Sequence, residues 1–103
     1  MIDLKDLPMD GLSAFCKRWK VKELALFGSA LREDFGPQSD IDFLVTFQPQ
    51  ARWSLFDHVQ MEEELEALLG RSVDLVTRPA IERSQNYIRK AAILSSAKIL
   101  YAA

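Results

Sequence analysis

Two short apolar runs, separated by turn residues and carboxylates, limit what this chain can fold into. The first run, residues 24–27, ends at Gly28-Ser29, and the second, residues 43–45, directly follows Asp40-Ile41-Asp42. Short apolar runs bounded by turn residues indicate buried strands. We therefore predict two strands, joined by a turn and a short irregular or helical passage, over residues 23–27 and 39–47.

The second predicted strand begins with two carboxylates, Asp40 and Asp42. Residues two apart in a strand point to the same face and lie about 6.6 Å apart along it. Two like charges so placed repel each other, and a divalent cation between them removes that repulsion. The spacing therefore predicts a cation site on one face of the sheet.

The remainder of the chain predicts three main helices and two further strands. Asp10 is a candidate N-cap for the first helix, and Ser54 with Asp57 resembles a capping box for the second, which ends at Gly70. The predicted elements are helices over 10–20, 54–70 and 81–95, a strand over 72–77 and a short edge strand over 98–101. We expect an α/β (α+β) fold in one domain, residues 1–103, with a mixed four-stranded sheet, helices on one face and the acidic face open.

Charge and apolar content exclude several classes of protein. A net charge of −2 argues against a general basic surface for stable binding to nucleic acid. The apolar runs are too short to cross a membrane, and acidic residues stand where a secretory signal would be basic. We expect a cytoplasmic protein.

Several residues that carry reactive groups are predicted to be structural. The lone Cys16 recurs with apolar residues at helical spacing, which favours core packing. His58 has no second histidine or cysteine near it, so an ordinary position on the helix surface is favoured over a metal ligand or base. The glutamates of the second predicted helix are expected to form a solvated face: Glu62, Glu63, Glu64 and Glu66.

A third carboxylate extends the predicted cation site. If the second and third strands are neighbours, Asp74 lies on the same face as Asp40 and Asp42. Carboxylates suit Mg²⁺, and a pair of such ions about 3.5–4 Å apart clamps the attacking and leaving oxygens of an in-line displacement. Gly28 allows close approach of a phosphate to the backbone, and Ser29 adds a hydroxyl. Together these residues predict phosphoryl chemistry on a triphosphate.

The order strand, Gly-Ser, ten residues, Asp-x-Asp and a further strand aspartate resembles the minimal nucleotidyltransferases of the DNA polymerase beta superfamily. The resemblance spans nearly the whole chain. It rests on Leu26-Phe27-Gly28-Ser29 and on the segment Gly36-Pro37-Gln38-Ser39-Asp40-Ile41-Asp42.

The resemblance implies a palm-like nucleotidyltransferase fold with ATP as substrate. It implies two Mg²⁺ ions held by Asp40, Asp42 and Asp74, the last also activating the acceptor hydroxyl. It further implies nucleotide contacts by Gly28, Ser29 and Arg32. An alternative for Arg32 is a surface ion pair with Glu33 or Asp34.

Stand-alone family members of this size resemble the antitoxins of toxin–antitoxin pairs whose partner is a HEPN ribonuclease. The resemblance implies that such a chain moves AMP from ATP onto a tyrosine of the toxin, within a possible hetero-oligomer. Candidate docking residues, each of which could instead belong to the core, are Trp53, Phe56 and Tyr101.

Two alternatives to this function stay open on the sequence. One is a non-catalytic module that neutralises its partner by steric cover. The other is a small-molecule nucleotidyltransferase whose acceptor pocket is completed by a dimer or a second subunit. A transferred label on a protein distinguishes the protein-modifying enzyme from both.

Overall fold

The computed structural model describes residues 2–103. Four helices and four strands follow one another along the chain, with short 3-10 helices at Leu4–Asp6 and Gly28–Leu31. In chain order they are α1 (Met9–Arg18), β1 (Val21–Phe27), β2 (Ile41–Phe47), α2 (Leu55–Leu69), β3 (Val73–Thr77), α3 (Arg78–Glu82), α4 (Tyr87–Ser96) and β4 (Lys98–Ala102).

The four strands form one mixed sheet in the order β3-β2-β1-β4. The β2–β3 pair is parallel, and β1 is antiparallel to both β2 and β4. The predicted fold class, α/β (α+β) with a mixed four-stranded sheet, is confirmed. The second and third strands are neighbours, which was the condition for a third carboxylate at the site, and their pairing brings Asp42 and Asp74 together.

Helices pack on both faces of the sheet, which differs from the expected one-sided arrangement. The larger core joins α1 and α2 to strand residues such as Leu24, Leu26 and Phe43. On the opposite face, Ile81 of α3 and Ile93 of α4 pack in a smaller core with Ala25, Phe27 and Leu44. The reason lies in β2, where residues 43–45 are all buried, so this strand is apolar on both faces beyond its first residues. The aspartates lie at the end of the face that the smaller core covers, and Asp74 is exposed there.

The helix ends show where local sequence predicts well and where it fails. Ser54 and Asp57 form a reciprocal capping box at the start of α2, and Gly70 ends the helix in the left-handed conformation, as predicted. The prediction of Asp10 as the N-cap of α1 was wrong. Pro8 occupies that position, and Asp10 lies in the first turn, where its charge suits the helix dipole.

The single helix predicted over 81–95 is two helices, α3 and α4. The Asn86 side chain accepts a hydrogen bond from the Arg89 amide at 3.1 Å, and the Ser84 hydroxyl accepts one from the Asn86 amide at 3.2 Å. Such local side-chain bonds compete with helix continuation and start a new helix instead. Pro79 lies in the first turn of α3, as its fixed φ angle favours.

Side chains of α2 cover the exposed edge of β3. The Glu66 carboxylate accepts from the Val73 amide at 3.0 Å, the Glu62 carboxylate accepts from the Leu75 amide at 2.9 Å, and His58 Nε2 lies 2.8 Å from the Leu75 carbonyl oxygen. Four residues of helix and two of strand span similar lengths, about 6 Å and 6.6 Å, so successive side chains match successive strand groups. His58, Glu62 and Glu66 therefore protect an edge strand, which corrects the expectation of a purely solvated face.

Other predicted structural residues have identifiable places. Cys16 is fully buried in the larger core, as predicted, and burial raises the pKa of its thiol to about 12. Trp53 packs edge-on against Trp19 with ring centroids 5.0 Å apart, and Tyr101 packs against the same core. Of the three aromatic docking candidates, only Phe56 is largely exposed. None of the helices in residues 2–103 combines the length and apolar content that a membrane crossing needs.

Candidate functional site

The Gly28-Ser29 turn lies at the end of β1 and begins a short 3-10 helix, Gly28–Leu31. Gly28 has a φ of +65°, a conformation that residues with a side chain rarely adopt. A Cβ atom at this position would lie 2.5 Å from Asp42 Oδ2. The turn therefore requires glycine for two reasons, its backbone angle and the carboxylate packed directly against it.

Strand register places Asp42 and Asp74 side by side. Asp42 pairs with Phe27 on β1 and with Asp74 on β3, so the three residues form one row across the sheet. The next row on this face is Ala25, Leu44 and Val76, which lies in the smaller core. The acidic row is thus the last row of a covered face, and Asp74 is exposed there.

Ser29 contacts Asp42 in β2 and Asp40, which directly precedes this strand. The Ser29 hydroxyl donates to the Asp40 carbonyl oxygen at 2.7 Å, and its amide lies 3.3 Å from Asp42 Oδ2. The hydroxyl also lies 3.4 Å from Asp42 Oδ2, which is a weak contact. These contacts hold the turn and the start of β2 together.

Asp42 carries a pKa raised above its usual range. Burial is the largest cause, and the charges of Asp74 and Asp40 add to it, while hydrogen bonds from Ser29 oppose the shift. The carboxylates therefore repel one another across the row. A cation bound among them would remove that repulsion.

Asp40 lies just before β2 and not within it, because β2 begins at Ile41. The sequence prediction of a strand from residue 39 was therefore too long at its start. Asp40 is exposed. Within the described part of the chain, no three histidine, cysteine, aspartate or glutamate side chains form a group that could hold a metal ion alone.

Arg32 forms the surface ion pair that was the alternative to its predicted nucleotide contact, and it also lies beside the turn. Its Nε lies 3.3 Å from Asp34 Oδ1 in an exposed ion pair, as the surface alternative predicted. It also lines a pocket of about 320 Å³ that Gly28 and Arg89 share. Sequence reasoning missed Arg89, because it lies in the first turn of α4 and reaches the turn only through the packing of that helix on the sheet.

The model for the nucleotidyltransferase domain family matches residues 9–99, a span that contains the turn and all three aspartates. The chain belongs to this family. The Gly28-Ser29 turn and the carboxylates on neighbouring strands thus lie within a nucleotidyltransferase domain.

Relatives of this nucleotidyltransferase match most of its length. A Methanocaldococcus jannaschii protein assigned as a protein adenylyltransferase is 36% identical over 88 residues, which are 85% of this chain and 86% of the relative. The protein adenylyltransferase MntA of Thermococcus cleftensis is 41% identical over 66 residues, 64% of this chain and 65% of the relative.

Solved structures support the fold of this nucleotidyltransferase. A structure described as a minimal nucleotidyltransferase aligns with a TM-score of 0.65 at 28% identity and covers 86% of this chain and 85% of that chain. A toxin–antitoxin complex with AMP-PNP aligns with a TM-score of 0.70 at 19% identity, over 94% of this chain and 75% of that chain. A Shewanella oneidensis complex of a tri-AMPylated HEPN toxin with an MNT antitoxin aligns at 0.60 and 20% identity, over 92% and 70%.

The donor set of this nucleotidyltransferase fits a hard divalent cation. Asp42 and Asp74 are adjacent in register, and Asp40 is close enough for its charge to raise the pKa of Asp42. Carboxylate oxygens are the ligands that Mg²⁺ prefers, and Mg²⁺ usually completes its shell with water and substrate phosphates. Asp40, Asp42 and Asp74 are therefore the residues that could hold such an ion.

Proposed function

We propose that this chain transfers AMP from ATP to a tyrosine hydroxyl of a HEPN-type toxin and thereby acts as its antitoxin. The observation that carries the proposal is the row in which Asp42 and Asp74 lie side by side next to the Gly28-Ser29 turn. The row combines carboxylates for a metal–nucleotide complex with a turn that a phosphate can approach closely. Both lie at an uncovered end of the sheet, where a second protein can reach them.

The nucleotide phosphates bind at the turn in this proposal. Gly28 has no side chain between the backbone and a phosphate oxygen, and Ser29 can turn its hydroxyl from the Asp40 carbonyl oxygen to the ligand. Arg32 lines the neighbouring pocket and can exchange its exposed bond to Asp34 for one to a phosphate. Such an exchange is inexpensive, because exposed ion pairs contribute little stability.

The metal site in this proposal consists of Asp40, Asp42 and Asp74. Two Mg²⁺ ions bound there with ATP would stabilise the negative charge that develops on the transferred and leaving phosphates. The carboxylates orient the nucleotide through this complex. Asp40 and Asp74 are exposed at the sheet end, which leaves room for the triphosphate, while Asp42 is partly buried.

The chemical step needs a base for the acceptor hydroxyl. Asp74 is exposed and adjacent to Asp42, so its carboxylate can accept the proton of the tyrosine hydroxyl. The tyrosine oxygen forms a bond to the α-phosphorus, and the bond from that phosphorus to the oxygen bridging to the β-phosphate breaks. The products are AMP-tyrosine and pyrophosphate, with the proton on Asp74.

The identity of donor and acceptor is supported by what similar proteins are called. Relatives at 36% and 41% identity are assigned as protein adenylyltransferases. Complexes with the same fold are described as a toxin–antitoxin pair with AMP-PNP, an ATP analogue, and as a tri-AMPylated HEPN toxin with its MNT antitoxin. These descriptions favour ATP over other nucleotides and a protein over a small-molecule acceptor.

The proposal is tested with ATP labelled at either the α- or the γ-phosphate. The purified chain, Mg²⁺ and the HEPN protein encoded in the same genome are incubated with each label. We expect label from the α-phosphate alone to appear on the HEPN protein. Label from the γ-phosphate would indicate phosphorylation, and neutralisation of the toxin without any label would indicate the steric module; either result contradicts the proposal.

A further inference from the structure

Arg71 joins two parts of the chain that carry site aspartates. It lies between Gly70, which ends α2, and β3, which carries Asp74. Its Nη2 donates to the carbonyl oxygen of Ser39 at 2.9 Å and also to that of Gly36. One guanidinium nitrogen thus binds both ends of the loop that leads into Asp40.

The same loop is closed by its own bonds and by an aromatic contact. The Ser39 amide donates to the Gly36 carbonyl oxygen at 3.0 Å, and the Gly36 amide donates to the Ser39 hydroxyl at 3.1 Å. The guanidinium carbon of Arg71 lies 4.4 Å from the centre of the Phe35 ring. A planar cation that stacks on a ring and donates along its edge is the geometry for which arginine is suited and lysine is not.

Asp40 lies between the loop that Arg71 binds, residues 36–39, and the Gly28-Ser29 turn. On one side, Arg71 binds the carbonyl oxygen of Ser39. The carbonyl oxygen of Asp40 itself accepts a hydrogen bond from the Ser29 hydroxyl at 2.7 Å. On the other side, the Ile41 amide donates to the Ser72 carbonyl oxygen at 3.0 Å. The backbone of Asp40 is therefore fixed from both sides. Its side chain lies outside the strand and depends on these ties for its position.

We propose that Arg71 is a positioning residue that sets the Asp40 carboxylate beside Asp42 and Asp74 through the 36–39 loop. The inference rests on the proposed function in one respect, namely that these carboxylates hold a metal–nucleotide complex. Groups that orient metal ligands in this way typically contribute about 10- to 100-fold to metal affinity or activity. Arg71 itself does not touch the substrate in this proposal.

Arg52 offers a matched control for an Arg71 variant. Its Nη1 donates to the carbonyl oxygens of Pro49 and Ala51 at 2.8 and 3.1 Å, so it too binds loop carbonyls, but after β2 and not before it. Arg71→Ala, Arg71→Lys and Arg52→Ala are compared with the unaltered chain. The lysine variant keeps the positive charge and loses the planar, stacked geometry.

Two measurements test the inference. The first is calorimetric titration of Mn²⁺ into each variant saturated with AMP-PNP, and the second is amide hydrogen exchange over residues 36–42. For Arg71→Ala and Arg71→Lys we expect an apparent Mn²⁺ dissociation constant raised about 10- to 100-fold and faster exchange in 36–42, with exchange in β1 and α2 unchanged. For Arg52→Ala we expect neither change.

The outcomes separate this inference from the proposed function. If the unaltered chain binds Mn²⁺ no better with AMP-PNP than without it, the proposed function fails. If the unaltered chain binds Mn²⁺ better with AMP-PNP, and either Arg71 variant has the same Mn²⁺ affinity as Arg52→Ala, the positioning role of Arg71 is overturned while the proposed function stands. Exchange that rises equally in all elements would show a general loss of stability and would also contradict the positioning role.

Discussion

At the scale of single residues, the site follows from two local rules that the sequence already displays. Period-two alternation on the strands predicts that Asp42 and Asp74 share a face, and the register places them side by side. A glycine before a serine predicts a tight turn, and Gly28 has the positive φ that such turns use. The bonds of Arg71 to the 36–39 loop and the position of Arg89 in the pocket beside Gly28 could not be predicted in this way, because they join parts of the chain that are far apart in sequence.

Replacement of Gly28 tests the contact between the turn and the carboxylate. In Gly28→Ala the new Cβ would meet Asp42 Oδ2 at 2.5 Å, and the positive φ would be strained. We expect the free energy of unfolding to fall by about 1–3 kcal/mol, the usual cost of such backbone strain. We also expect the metal-dependent affinity for ATP to fall. Chemical denaturation and calorimetry measure the two effects.

Gly70→Ala is the control for that experiment. Gly70 has a similar φ of +70°, but a Cβ there has no heavy atom within 4 Å. This variant should therefore show the stability loss and keep its affinity for ATP. Equal loss of ATP affinity in both variants would contradict a specific contact between Gly28 and Asp42.

At the scale of elements, the sequence predicts both ends of α2 correctly but not the role of the side chains on its surface. The capping box at Ser54 and the glycine at its end are local signals, and both are present in the structure. The role of its acidic side chains depends on which strand lies beside it, and a single helix sequence does not contain that information. The division between α3 and α4 was missed because the apolar spacing continues on both sides of Asn86, although asparagine favours caps over helix interiors.

Removing one of these side chains tests the protection of β3. Glu62→Ala deletes the acceptor for the Leu75 amide, a bond of 2.9 Å. We expect the free energy of unfolding to fall by about 1–3 kcal/mol, since a hydrogen bond to a charged group is lost. Glu63→Ala, at an exposed neighbouring position, should change it by no more than about 0.5 kcal/mol. Equal values for the two variants in urea denaturation would show that Glu62 does not stabilise the strand edge.

At the scale of the whole molecule, packing on both faces of the sheet leaves one acidic end uncovered. The smaller core, with Ile81 and Ile93, covers the row next to the aspartates and reaches Phe27 in their own row, while Asp74 stays exposed. Helices were expected on one face of the sheet because the few apolar residues of α3 and α4 were assigned to a single helix. The structure shows that both helices cover the second face. The expectation that the whole acidic face stays open was therefore wrong, because Ile81 and Ile93 cover most of it and leave Asp74 exposed at its end.

This arrangement predicts how the metal and the nucleotide bind. Mg²⁺ usually keeps part of its shell for water and substrate phosphates, so we expect triphosphate oxygens to complete the shell of an ion at Asp40, Asp42 and Asp74. We expect weak binding of Mg²⁺ to the free chain and much tighter binding when ATP is present. Calorimetric titrations with and without ATP check this expectation, and equal Mg²⁺ affinity in the two titrations would argue against a shared site.

The central claim is that the acidic row modifies a partner protein chemically, and Asp42→Asn tests it most directly. This substitution keeps the size of the side chain and removes a charge that the metal–nucleotide complex needs. Asp10→Asn, in the exposed first turn of α1, is the control.

Each variant is mixed with the HEPN partner, Mg²⁺ and ATP, and pull-down is combined with the intact mass and ribonuclease activity of the partner. We predict that Asp42→Asn still binds the partner but leaves it unmodified and active, whereas Asp10→Asn adds the mass of AMP and silences it. An Asp42→Asn variant that silences its partner fully without added mass would contradict the claim.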